Sequence, residues 1–218
     1  MSKNPTDPIN PFPADIYTEP DFDVDTLANL GPLRAMAGVW RGARGLDTKP
    51  KAEGPKKQAY VERMTLQPVD PQTNGPQLLY GLRYDTHINK PDQFKTYHEQ
   101  VGYWLWEPAT GTVLHTLSIP RGMTLMASGV AAADATEFVL RAEKGAPNFG
   151  ICSSPFLEYA FDTVSFEIQV QVNADGTWTY SEDTVLKILG QAELFHHTDR
   201  NTLERIEAAT PNPLARKT

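Results

Sequence analysis

Phe166, Ile168, Val170 and Val172 alternate with Glu167, Gln169 and Gln171, the pattern of a sheet with one apolar and one wetted face. The same period of two recurs in about ten segments, over 38–46, 59–69, 77–87, 94–106, 111–119, 122–132, 136–143, 164–173, 176–189 and 192–208. Turn signals separate them, among them Asn74-Gly75, Pro108-Ala109-Thr110-Gly111 and Asn173-Ala174-Asp175-Gly176. An open sheet of that size would carry two long unpaired edges, and closing it on itself removes them. The expectation is an all-β fold, an antiparallel up-and-down barrel of about ten strands. Ahead of the first strand, Asp25-Thr26 can cap a short helix whose Leu27, Leu30, Leu33 and Met36 recur three apart, a stopper for one barrel end. The charged insert Asp47 to Lys57 reads as a long solvated hairpin loop.

The chain has 218 residues, of which 40% are hydrophobic, enough for one sizeable core. We expect one barrel domain over 25–208, between a Pro-rich tail over 1–24 and a second tail over 209–218. The net charge of −7, with both signs interleaved, presents no basic face to nucleic acid or to an anionic membrane. Apolar runs are too short to span a bilayer and the N-terminus lacks a signal-peptide pattern, so a cytoplasmic location is expected. A single cysteine, Cys152, excludes an internal disulfide and a thiolate metal cluster, and reads as a small buried or half-buried side chain.

Five histidines carry most of the chemical interest: His87, His98, His115, His196 and His197. Alternation puts His98 on one face with Gly102, Trp104 and Trp106. His196 and His197 are neighbours in a strand, so only one of them can look into a barrel. A neutral imidazole facing an apolar cavity suits haem iron, whereas a strand histidine is often plain hydrogen-bonded structure, the reading taken for His87 and His115. Gly38-Val39-Trp40-Arg41-Gly42 opens the strands; Trp40 can plug the closed end with one ring, and is carried with the histidines as a candidate ligand contact. Arg121, in Ile119-Pro120-Arg121-Gly122, is either a solvated turn residue or a mouth residue near a carboxylate or propionate. Glu99 with Glu107, and Asp199 with Glu204, show no local pairing that supports acid–base chemistry, and Ser153-Ser154-Pro155 reads as a loop. Phosphate-loop, dinucleotide and nucleophile-elbow motifs are absent.

Three motifs taken together are informative. The start LGPL-x-AMAG-x-W-x-G over 30–42, the strand H-E-x-x-G-Y-W over 98–104 leading to GTV-x-HTLSIPRG over 111–122, and His-Thr-Asp-x-Asn-Thr-Leu over 197–203 resemble the bacterial nitrobindin-like family, the fatty-acid-binding-protein-like or haem-binding β-barrels of calycin and lipocalin type. The resemblance spans roughly residues 27–208. It implies a ten-stranded barrel closed at one end by a short helix. It further implies haem b bound through one histidine of the last strand, reaction with nitric oxide, and peroxynitrite isomerisation by the ferric form. By motif, His197 becomes the iron ligand, with His196 the alternative if the register is counted from Gly190-Gln191, and His98 lines the other side of the pocket. After Gly42 the chain reads ARGLDTKPKAEG, where haem-binding members continue with a further Gly-x-Gly and a Tyr-Pro. Two other readings stand beside this one: a lipocalin-like carrier of a small hydrophobic molecule, gripping a polar head group through a lumenal Arg or Tyr pair, and a filled barrel acting as an interaction module.

Overall fold

The computed structural model describes residues 13–212. Twelve strands follow one another: β1 (Gly38–Lys49), β2 (Lys56–Pro68), β3 (Gln72–Asn74), β4 (Gln77–Asn89), β5 (Thr96–Glu107), β6 (Thr112–Ile119), β7 (Met123–Val130), β8 (Glu137–Lys144), β9 (Gly150–Ser153), β10 (Phe161–Val172), β11 (Trp178–Ile188) and β12 (Phe195–Glu207). Eleven of them form a ring in the order β2-β1-β12-β11-β10-β8-β9-β7-β6-β5-β4, closed by pairing of β2 with β4. The twelfth, β3, extends β4 as a small hairpin.

The all-β barrel expected from alternation is present, with one strand more than the approximate count. The extra strand is β9, four residues wedged between β7 and β8, antiparallel to the first and parallel to the second. A segment that short carries no detectable period, and it is entered through Phe149 in the left-handed region, φ 51°. A second omission is α2 (Pro155–Ala160), with Ser154 at its N-cap position, making no side-chain capping bond, and Pro155 in its first turn. The residues read as a loop are its start, in the arrangement favoured at helix N-termini. Cys152 lies on β9 and is exposed, not buried.

Inside, alternation does what it promised. Phe166, Ile168 and Val170 of β10 are buried while Gln169 and Gln171 are exposed. The stopper is built from α1 (Thr26–Asn29), capped by Asp25 through its bond from the Ala28 N–H, followed by a 3₁₀ turn over Gly31–Met36. Leu30, Leu33 and Met36 are fully buried there. Trp40 stands beside them: its indole Nε1 donates to the Met36 carbonyl at 2.7 Å, its ring meets Trp178 edge-on at 6.1 Å, and the Arg205 guanidinium covers it at 4.7 Å. The C-terminal segment returns to the same end, where the Asn212 amide donates to the Thr26 hydroxyl at 3.3 Å.

One expectation about a loop needs correction. Asp47 to Lys57 is not a solvated insert, since β1 runs to Lys49 and β2 begins at Lys56. Asp47 itself is buried. Charges near a strand end look like a loop in sequence, but here they line the open end of the barrel.

Candidate functional site

With one end stoppered, the interior opens at the other, where β1 ends, β5 and β12 begin, and the β6–β7 turn and α2 form the rim. A cavity of about 570 Å³ runs inward from this opening, a size within the range of small-molecule sites. α2 gives it an apolar lip through Phe156 and Leu157. Lys144 ties the helix to the wall by bonds to Glu158 (3.2 Å) and Asp162 (2.7 Å).

At the opening, His197 lines the cavity and its Nε2–H donates to Asp47 Oδ1 at 2.8 Å. The Tyr97 hydroxyl donates to the other oxygen of Asp47, and the Lys49 ammonium donates to the Tyr97 hydroxyl while standing 4.2 Å over its ring. Burial works against ionisation of Asp47, but hydrogen bonds from His197 and Tyr97 and the nearby positive charges outweigh it and hold the carboxyl below its usual range. The Tyr97 hydroxyl moves the other way, raised by burial and by Asp47. Arg121, exposed in the β6–β7 turn, reaches the same rim and donates to the Tyr97 carbonyl at 2.8 Å, so it is a solvated turn residue that also stands at the mouth. His98 also lines the cavity; its Nε2–H donates to Gln100 Oε1 at 3.0 Å, and burial lowers its pKa.

Further in, a wall formed by β2, β11 and β12 carries acids. Asp47, Asp199 and Glu182 are direct cross-strand neighbours in one row, Asp47 opposite Asp199 and Asp199 opposite Glu182. Glu62 lies beyond them, fully enclosed and accepting from Thr86 (2.7 Å), Tyr180 (2.8 Å) and Asn201 (2.9 Å). Tyr60 sits between the groups, 2.8 Å from the Tyr180 hydroxyl and 3.3 Å from Asp199. Burial and the charge of Glu62 push Asp199 up to about 7. Burial, then the charges of Asp199 and Glu62, raise Glu182 well above the carboxylate range. Burial also raises Glu62, offset in part by its three donors.

The glycines of the first strand explain how this wall fits together. A Cβ on Gly42 would stand 2.1 Å from the Asn201 amide, and one on Gly45 would stand 2.1 Å from the Tyr60 ring. Bare backbone on β1 is therefore what admits Asn201 and Tyr60 to the acid cluster. The floor is aromatic. His115 stacks on Trp104 at 3.9 Å and shares a 2.9 Å hydrogen bond with the Tyr84 hydroxyl, and burial drives its pKa down to about 3.

Of the histidines weighed from sequence, then, His197 and His98 come together at the cavity. His196 faces outward, 62% exposed at its side chain and paired with Asp183 at 2.7 Å, so a group inside the barrel is out of its reach. Trp40 belongs to the stopper and is not on the cavity wall. His87 is likewise absent from the wall, whereas His115, read as plain structure, is part of the floor. Sequence reasoning missed Asp47, Glu62, Tyr97 and Glu182, and gave Asp199 no partner. The alternation of Trp178, Tyr180 and Glu182 on β11 was the available signal, because it placed an acid on the apolar face.

Three comparisons bear on this arrangement. The family model of the THAP4-like, heme-binding beta-barrel domain matches residues 29–205. Among solved structures, the crystal structure of Rv2717c from M. tuberculosis is similar with a TM-score of 0.58 and 22% sequence identity, over 83% of this chain and 96% of that one; at that identity the likeness bears on the fold alone. No curated protein matches the chain. Among the described residues no helix is long and apolar enough to cross a membrane. The match over most of its length, on a barrel with an open, histidine-bearing end, means that the chain belongs to the THAP4-like, heme-binding beta-barrel domain family.

Proposed function

We propose that this barrel takes up haem b, or a similarly flat apolar ligand, through its open end, with His197 as the iron ligand. The observation that carries the reading is the position of His197: it alone among the late histidines lines the cavity, and it stands at the opening with a carboxylate behind it.

The donor set fits the group in its main features. His197 supplies an imidazole that a large planar ligand can reach without passing the barrel wall. Lys49, Lys51 and Arg121 line the same cavity at its rim, where they suit propionate carboxylates. The acid wall over Glu62, Glu182 and Asp199 disfavours an inward propionate, so the charges alone give the ligand one direction of entry. Ligation through Nε2 requires the 2.8 Å bond to Asp47 to give way, and Asp47 then still has Tyr97 as a donor. His98 and Gln100 supply polar contacts across the cavity, and the aromatic floor excludes water. Bound haem would supply an iron with one position free for nitric oxide or for peroxynitrite and its isomerisation to nitrate.

Titration of the full chain with hemin tests this. A saturable Soret band is expected in the parent and in His196→Ala, with at least about a tenfold loss of affinity in His197→Ala. Equal uptake by the His197 variant, or no specific band in the parent, contradicts the reading. The second outcome favours a carrier of another hydrophobic molecule.

A further inference from the structure

Along the sequence the two signs of charge are interleaved and no basic face is expected, but the fold sorts them. The strand connections at the open end are basic. The one between β1 and β2 carries Lys49, Lys51, Lys56 and Lys57 against Glu53. The one between β4 and β5 carries Lys90 and Lys95 against Asp92, and the β6–β7 turn adds Arg121. Among the described residues none of these cations forms an ion pair. They also crowd one another: burial lowers the pKa of Lys49, Asp47 opposes the change, and Lys90, Lys51 and Lys56 add to it. At the stoppered end the balance is reversed. Residues 13–25 hold Asp15, Glu19, Asp21, Asp23 and Asp25, and the strand connections there add Asp70, Asp134 and Asp175. None of those segments contains a lysine or arginine. A chain of net charge −7 thus presents a positive end around the mouth of its barrel, which favours an anionic partner there over the rest of the surface.

A second observation, independent of charge, concerns the remainder of the same rim, which is apolar. Phe156 and Tyr159 of α2 are each more than half exposed, as are Leu189 and Leu194 of the β11–β12 connection. The Leu189 N–H donates to the Ala160 carbonyl at 3.1 Å, which sets that connection beside the helix. Two acids of this arc, Glu158 and Asp162, are held in ion pairs by Lys144. Phe94, within the basic arc, is wholly exposed. Exposed apolar residues occur at the stoppered end as well, Ile16 and Tyr17 among them, but there they are set among acids. Rings and aliphatic side chains in solvent beside unpaired lysines are the features of a surface that lies in a lipid interface. A nucleic acid would meet the cations and stack on the rings, leaving Leu189 and Leu194 in water.

We propose that the open end is a docking surface for an anionic lipid bilayer, with the lysines of the β1–β2 and β4–β5 connections against the headgroups. Phe94, Tyr159, Leu189 and Leu194 enter the interfacial layer. The mouth of the cavity then opens onto lipid, from which an apolar ligand enters without crossing water. Docking goes beyond haem uptake and does not rest on it, since it requires neither His197 nor an occupied cavity.

The test is cosedimentation of the full chain, without hemin, with phosphatidylcholine vesicles and with vesicles that also contain about 30% phosphatidylserine. Binding to the anionic vesicles is expected to be at least about tenfold stronger than to phosphatidylcholine alone, and to weaken in high salt. Each lysine near an anionic surface contributes about fivefold. Lys56→Gln with Lys57→Gln, and Lys90→Gln with Lys95→Gln, should therefore each cost about tenfold or more. Arg83→Gln with Arg141→Gln removes the same charge from the barrel wall and should cost less than about twofold, because a distant charge is screened. Phe94→Ser with Leu194→Ser is expected to cost about fivefold. Surface substitutions of this kind leave a fold intact, and should a variant fail, the two vesicles on the parent decide the matter. No binding to anionic vesicles, equal binding to both vesicles, or equal losses in the wall and rim variants overturns the inference. So does retention on a single-stranded oligonucleotide by a protein that ignores both vesicles, which assigns the cations to nucleic acid. Hemin uptake is read separately. Vesicle binding by a protein that takes up no hemin supports docking while removing the haem reading, and hemin uptake without vesicle binding does the reverse.

Discussion

Trp40→Ala is expected to lower the unfolding free energy by about 3–5 kcal/mol, the range for deleting a fully buried tryptophan. The indole is 0% exposed, so the substitution leaves a void between stopper and barrel that rigid strands cannot close. It also orphans the Met36 carbonyl, which accepts from the indole at 2.7 Å, and removes the edge contact that fixes Trp178. Because Trp178 lines the cavity, the damage should reach the ligand site. Urea unfolding of the variant measures the first effect, and reduced hemin affinity in the protein that remains folded measures the second. A loss of stability below about 1 kcal/mol, within the range of an ordinary surface substitution, contradicts the plug assignment.

Acid should destabilise the protein through His115. Burial lowers its folded pKa from the usual 6.5 to about 3, so between these values the unfolded chain binds a proton that the folded chain refuses. Stability contributed by the neutral ring is present above pH 6.5 and is lost progressively as the pH falls toward 3. At pH 4 the loss is on the order of 3 kcal/mol. Glu182 and Asp199 act in the opposite sense. Their folded pKa values are raised, so their penalty appears as the pH rises and vanishes on acidification. A single stability curve mixes the two effects, and the informative quantity is the difference between the parent and His115→Phe. That difference should move in favour of the variant by on the order of 3 kcal/mol between pH 7 and pH 4. Parallel curves would show that the ring is not held neutral by burial.

These outcomes also show where sequence was a sufficient guide. The barrel was legible because its cause is local: Phe166, Ile168 and Val170 must face one way if Gln169 and Gln171 face the other, and hairpin turns leave neighbouring strands paired. The stopper was legible for the same reason, through the three-residue recurrence of Leu30, Leu33 and Met36. The site was less so, since it is assembled across strands. Nothing near Asp47 indicates that it meets His197, 150 positions away, and the charges around it resemble a loop. Register settles what alternation leaves open. Thr184 faces His197 and Val185 faces His196 across β11, and it is Thr184, with His197, that lies on the cavity wall. Glu182 and Asp199 escaped notice as a pair because each is an ordinary acid in its own strand, and it is the register of the β11–β12 hairpin that places them opposite one another.

The measurement that bears most directly on the central claim is hemin binding by His197→Gly in the presence and absence of free imidazole. If the His197 ring holds the iron, the glycine variant should bind hemin weakly on its own. Added imidazole should then restore the Soret band of the parent by filling the vacated space. Hemin binding by the variant that matches the parent without imidazole would contradict the account and move the ligand to another part of the cavity.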